Sequence, residues 1–157
     1  MKIEITKNEG ETKELAKEIA GDILSSKKKR KKATVVVLEG VLGAGKTTFT
    51  QGFAEGLGIK EDVKSPTFLI LKEYKLGFKN QESRIKNEIF KKFYHIDCYR
   101  MEDEKDAKDT GIKEALEDPE NIVLIEWGER IKKMLPKRCI KIKFYYISEN
   151  KRKIAIS

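Results

Sequence analysis

The 157-residue sequence is poor in the side chains that build metal centres and cross-links: two cysteines, Cys98 and Cys139, without a C-x-x-C pair, and a single histidine, His95. This set cannot complete a usual zinc site, so free thiols are expected. No window approaches the ~18 consecutive apolar residues of a membrane span. The opening Met1-Lys2-Ile3-Glu4-Ile5-Thr6 has no apolar core of the kind a secretory leader needs. These absences argue for a cytoplasmic chain without membrane attachment. There is no internal repeat and no low-complexity segment, and the length suits one domain over residues 1–157. Acidic residues are outnumbered, 26 against 34 basic, and the net charge of +8 suits a ligand or partner that carries phosphate. Much of the excess lies in the basic loop Lys27–Lys32, whose plain reading is a solvated surface and whose alternative is contact with RNA.

One stretch organises the rest. Gly40-Val41-Leu42-Gly43-Ala44-Gly45-Lys46-Thr47 fits the phosphate-binding template G-x-x-x-x-G-K-[ST] at every fixed position. The β-branched run Val35, Val36, Val37 before it reads as a buried strand, and Phe49, Phe53 and Leu57 after it recur at helical spacing. In a strand–loop–helix of this kind, main-chain N–H groups turn inward around phosphates, which demands glycine where a side chain would block approach or φ is positive. Gly40, Leu42, Gly43, Ala44, Gly45, Lys46, Thr47 and Thr48 are therefore the expected nucleotide cradle. Lys46 is expected to reach the β and γ phosphates of ATP, and Thr47 to offer its hydroxyl to Mg²⁺.

A second signal sits downstream. Ile122-Val123-Leu124-Ile125-Glu126 is an apolar run ending in a carboxylate, the form of a Walker B strand whose acid lies near the metal. Glu126 is thus the second expected Mg²⁺ residue. Asp97, embedded in Tyr94-His95-Ile96-Asp97-Cys98-Tyr99, is costly to bury unless it serves a cation or a water, and it is the expected water-orienting acid; the plainer alternative is an ion pair with Arg100. Thr67, on the loop Lys64-Ser65-Pro66-Thr67-Phe68, is the candidate hydroxyl for sensing the γ phosphate. His95 reads as hydrogen-bonded structure. No arginine finger is assigned, Arg100 being only a candidate.

Elsewhere the pattern predicts an edge strand at Ile3 and Ile5, a helix N-capped by Thr12 with Leu15, Ile19, Ile23 and Ala16, Ala20, Leu24 on one face, and a left-handed cap at Gly58. Strands are predicted at 68–74 and 93–100 as an antiparallel ribbon, joined by a charged surface excursion over 77–92. A short helix over 110–116, a helix over 129–135, and a C-terminal β-hairpin with one wet face complete the reading. The fold class is α/β: a single-domain P-loop NTPase with a mixed central sheet flanked by helices.

As an ordered set, GVLGAGKTTF, VKSPTF, YHIDCYR and IEWGERI with a following LP resemble the bacterial TsaE (YjeE) family of ATPases over nearly the whole chain. The resemblance implies an ATP- and Mg²⁺-binding protein that hydrolyses ATP slowly alone. It further implies work with the TsaB and TsaD proteins, and with tRNA only indirectly, in making threonylcarbamoyladenosine at the adenosine beside the anticodon. By matching position it assigns Lys46 and Thr47 to phosphate and metal, Glu126 to metal, Thr67 to the switch and Asp97 to hydrolysis. Two departures stand out: the excursion is longer than the family usually has, and Gly128 follows Trp127 where proline is common. The competing readings are a small-molecule kinase, for which no Arg-rich lid is visible, and a nucleotide-dependent RNA-binding module. A GTPase is disfavoured because no N-K-x-D follows the Walker B strand.

Overall fold

The computed structural model describes residues 1–26, 28–64, 70–77 and 89–157. Seven strands, β1 (Lys2–Thr6), β2 (Thr34–Glu39), β3 (Leu71–Lys75), β4 (Lys92–Asp97), β5 (Asn121–Glu126), β6 (Ile140–Tyr146) and β7 (Arg152–Ile156), form one sheet in the order β1-β7-β6-β2-β5-β4-β3. The four central strands, β6, β2, β5 and β4, run parallel, while β3 on one edge and β7 then β1 on the other are antiparallel to their neighbours. A mixed sheet of this kind needs both faces covered at its centre, and period-two alternation assigns the faces. Val36 and Leu38 of β2, Phe93 of β4 and Ile122 and Leu124 of β5 pack under α1 (Glu9–Ser25) and α2 (Lys46–Gly56). Val35, Val37, Ile96, Val123 and Ile125 pack on the opposite face with Ile112, Ala115 and Leu116 of α3 (Ile112–Glu117).

The same alternation puts His95, Asp97 and Glu126 on the α1/α2 face, because each is an even number of residues from Phe93 or Leu124. Asp97 and Glu126 are register partners across β4 and β5, and Leu38 is the partner of Glu126 across β2 and β5. The two acids therefore stand side by side at the C-terminal ends of adjacent parallel strands, next to the loop that leaves β2. This is where open α/β sheets place ligands.

Several details differ from the sequence reading. β1 is an edge strand, but Ile3 and Ile5 are exposed. The face of β1 that turns to α1 carries Lys2, Glu4 and Thr6, and there Thr6 Oγ1 hydrogen-bonds Thr12 Oγ1 at 2.8 Å. Thr12 is accordingly not the N-cap. Asn8 is, its Oδ1 accepting from the Glu11 N–H at 2.8 Å while Glu11 Oε2 accepts from the Lys7 N–H at 2.7 Å. The predicted helix over 129–135 is two 3₁₀ turns, Gly128–Met134, broken at non-helical Ile131. Gly58, at φ 81°, caps α2 as expected, its N–H donating to Glu55 O. Within the excursion, residues 78–88 lie outside the described residues, and β4 begins at Lys92. Cys98 is buried on the α3 face, where burial pushes its thiol up to about 12, so it is inert as a nucleophile. No helix among the described residues is long and apolar enough to cross a membrane.

Candidate nucleotide site

The loop from Gly40 to Gly45 leaves β2 with φ of 145° at Gly40, 76° at Gly43 and 102° at Gly45, values that side-chain-bearing residues avoid. Gly40 has a second constraint, since a Cβ there would sit 2.9 Å from the Phe144 carbonyl oxygen. Gly45 is the N-cap of α2, which starts at Lys46 and directs its N-terminal dipole into the cleft. The Ala44 N–H closes a turn onto Val41 O at 3.1 Å.

Lys46 is only 5% exposed, and its ammonium donates to Gly40 O at 2.6 Å and Val41 O at 3.0 Å. Burial pushes its pKa down, against the pull of the carboxylates of Glu126, Glu129 and Asp97. The Trp127 ring covers it, with the centroid 4.3 Å from Nζ, and Tyr99 packs on that ring at 5.2 Å. Trp127 directly follows the Walker B acid and holds a left-handed φ of 58°, strain of the sort that collects at functional sites.

Glu126 is 3% exposed. His95 donates Nε2–H to its Oε1 at 2.9 Å, and Thr50 Oγ1 lies 3.4 Å from the same oxygen. Among the described residues both side-chain contacts fall on Oε1, which leaves Oε2 for a ligand. His95 is therefore the hydrogen-bonded structural residue that the sequence suggests, with a definite job: it aims Glu126. Its Nδ1 is buried without a partner among the described residues. Asp97, half-buried, accepts the Tyr99 N–H on Oδ1 at 3.0 Å. Desolvation raises its pKa, the Tyr99 N–H lowers it, and Glu126 raises it again. Among the described residues it forms no ion pair with Arg100, which is exposed and does not line the cleft.

These groups converge on a cavity of about 300 Å³ lined by Leu42, Gly43, Gly45, Lys46, Thr47, Thr48, Asp97, Glu126 and Trp127. Of the expected cradle, Gly40 and Ala44 shape the loop from behind and do not line it. Thr67 lies outside the described residues. The remaining wall was not anticipated: Asn8, Glu9 and Thr12 from the start of α1, and Glu149, Asn150 and Arg152 from the β6–β7 turn. No local motif marks them, because they arrive through sheet order, with β6 beside β2 and β7 beside β6. Only Asn8 followed three residues later by Glu11 carried a readable signal, that of a helix start.

The basic loop lies elsewhere. Lys27 is outside the described residues, while Lys28 to Lys32, with Val35, Pro136, Arg138 and Ile140, border a groove of about 770 Å³ at the N-terminal ends of β2 and β6. There Lys32 pairs with Glu117 at 2.7 Å, and Arg30 lies 5.0 Å over the Phe90 ring.

A family model described as "Threonylcarbamoyl adenosine biosynthesis protein TsaE" matches residues 6–154. The tRNA threonylcarbamoyladenosine biosynthesis protein TsaE of Bacillus subtilis (strain 168) is 40% identical over 152 residues, covering 97% of this chain and 82% of that protein. Its counterpart in Treponema pallidum (strain Nichols) is 36% identical over 124 residues, 79% of this chain and 82% of that one. The crystal structure of Bacillus subtilis YdiB matches with a TM-score of 0.67 at 34% identity, covering 99% of this chain and 83% of YdiB. The matched span takes in the phosphate loop, both strand-end acids and Trp127, and by it the chain belongs to the TsaE family.

Proposed function

We propose that this chain binds and hydrolyses ATP with Mg²⁺, and thereby supports a TsaB–TsaD complex in forming N6-threonylcarbamoyladenosine in tRNA, at the adenosine adjacent to the anticodon. The observation that carries the reading is the pairing of Asp97 and Glu126 at neighbouring strand ends beside a loop that presents Lys46 and Thr47. The donor set fits magnesium, since a threonine hydroxyl and a carboxylate are hard oxygen ligands, they line one cleft, and Glu126 keeps Oε2 in reserve. Thr47 and Glu126 would hold a magnesium ion, which when bound would supply positive charge to the phosphates.

The chain's own residues do the rest. Loop amides and the N-terminus of α2 hold the phosphates, and Lys46 exchanges the carbonyls of Gly40 and Val41 for phosphate oxygens. Glu126 is aimed because His95 donates to it. Asp97, fixed through Oδ1, turns its other oxygen to a water and accepts its proton; desolvation makes it a stronger base than an ordinary aspartate. No side chain acts as a covalent nucleophile. An arginine supplied by a partner in trans would add ~10³–10⁵ in rate, so that turnover without partners would be slow.

The test is calorimetric titration of ATP and GTP into the wild-type chain and Lys46→Ala. Phosphate release is then followed with and without the TsaB and TsaD proteins of the same genome. ATP binding lost in Lys46→Ala, and hydrolysis raised by the partners, is the expected result. Phosphate transferred to a metabolite instead of water would favour a kinase, and RNA binding indifferent to Lys46→Ala would favour the RNA module.

A further inference from the structure

Arg152, the first residue of β7, is a half-buried cation with no carboxylate paired to it among the described residues. Its hydrogen bonds go to main-chain carbonyls of two separate loops. Nε donates to Ala44 O at 3.0 Å and Nη2 to Gly43 O at 3.4 Å, both in the phosphate loop. Nη1 donates to Ser148 O at 2.7 Å and to Glu149 O and Lys151 O, each at 3.0 Å, in the β6–β7 turn. The Tyr146 ring lies 5.1 Å from the guanidinium carbon, and the side-chain stem runs beneath Gly45, 3.6–4.0 Å from where a Cβ would stand.

A peptide unit is planar and trans, so fixing its carbonyl on one side fixes its N–H on the other. The carbonyl of Ala44 shares its peptide unit with the N–H of Gly45, and Gly45 lines the cleft. Holding Ala44 O on the guanidinium therefore fixes the direction of the Gly45 amide at the cleft. A charged donor on that carbonyl also polarises the amide and strengthens it as a donor. Only a planar, forked group can bridge both loops at once; an ammonium has the charge without the span.

We infer that Arg152 is a positioning residue of the nucleotide site: it clasps the β6–β7 turn to the phosphate loop and holds the loop amides in their phosphate-binding orientation. The inference rests on the reading of the cleft as an ATP site. It acts on affinity through the loop and leaves the reacting atoms to Asp97 and Lys46.

The experiment compares wild type with Arg152→Ala, Arg152→Gln and Arg152→Lys by ATP calorimetry, by steady-state hydrolysis with the partner proteins, and by amide hydrogen exchange. The expected result is KM and Kd for ATP raised about tenfold or more in Arg152→Ala and Arg152→Gln, with partial rescue in Arg152→Lys and kcat at saturation within about threefold of wild type. Exchange should quicken in residues 43–47 and 147–152 and stay unchanged in β5. A lower thermal midpoint with ATP affinity unchanged would overturn the inference, reducing the contact to a fold clasp. A fall in kcat alone would overturn it too, by placing the guanidinium on the transferring phosphate. If Arg152→Ala fails to fold, the Gln and Lys variants decide by the same criteria. A wild-type chain that binds no ATP sinks the parent reading and the inference together, whereas wild-type binding matched by all three variants sinks the inference alone.

Discussion

The two ends of the parallel strands carry cavities of opposite character. At the C-terminal ends, the cleft of about 300 Å³ gathers a loop, two helix N-termini and a hairpin turn around the carboxylates of Asp97 and Glu126 and the buried Lys46 ammonium. At the N-terminal ends, the groove of about 770 Å³ is larger and more basic, yet its lysines and Arg138 are exposed and only Arg30 is partly desolvated. One of them is spent on Glu117 and another on Phe90. Size and charge count are therefore poor guides to chemistry here. What separates the two is desolvation: Lys46 and Asp97 both have pKa values displaced by burial, and Lys28, Lys29 and Lys31 sit where water screens them.

The sharpest way to break that contrast is at Asp97. Replacement by Asn should lower partner-stimulated turnover by ~10²–10⁴ while leaving ATP affinity within about threefold, as measured by phosphate release and calorimetry. Next in size is His95→Ala, which strands the buried Glu126 carboxylate and should cost about 2–4 kcal/mol of stability in urea denaturation. Lys46→Ala should weaken ATP binding by roughly 10–100-fold.

A smaller effect, of opposite sign, is expected for stability. The folded-state pKa of Asp97 lies above its ordinary value of 3.8, so the folded chain keeps that proton to higher pH than the unfolded chain does. Its burial penalty is absent at pH below the ordinary value, grows as pH rises through the raised one, and is full above it. Asp97→Asn should therefore be more stable than wild type near neutrality, with the gap closing on acidification, as measured by urea denaturation across pH. Smallest of all, Lys28→Ser combined with Lys29→Ser and Lys31→Ser should leave ATP affinity within about twofold. A larger change would mean that the two ends of the sheet communicate.

Those elements whose chemistry is local were legible in the sequence. The glycine-rich loop, the apolar run ending in Glu126 and the strand carrying Asp97 each need only residue type and short-range period, whereas the register that sets Asp97 beside Glu126 is tertiary. Tertiary placement was not legible. Ile3 and Ile5 alternate correctly, but the face of β1 that meets α1 carries Thr6, bonded to Thr12 of α1, so the apolar side turned out to be the wet one. Thr12 was a plausible cap by type, yet Asn8 one turn earlier satisfies the helix start, and burial recruits Thr12 elsewhere. Arg152 lies more than a hundred residues from the loop it grips, and no spacing rule connects them.

A quieter feature sets the width of the cleft. Within α2, a Cβ on Gly52 would fall 2.5 Å from the Lys13 main chain, and one on Gly56 would fall 2.8 Å from Lys17 Cα. The bare backbone at these two points lets α1 ride directly on the helix that carries Lys46. Since Asn8 and Glu9 line the cleft from the start of α1, the spacing of the two helix axes works as a calliper on the opening. A single methyl at Gly52 would spread the jaws between one and two helical turns away from where it was added.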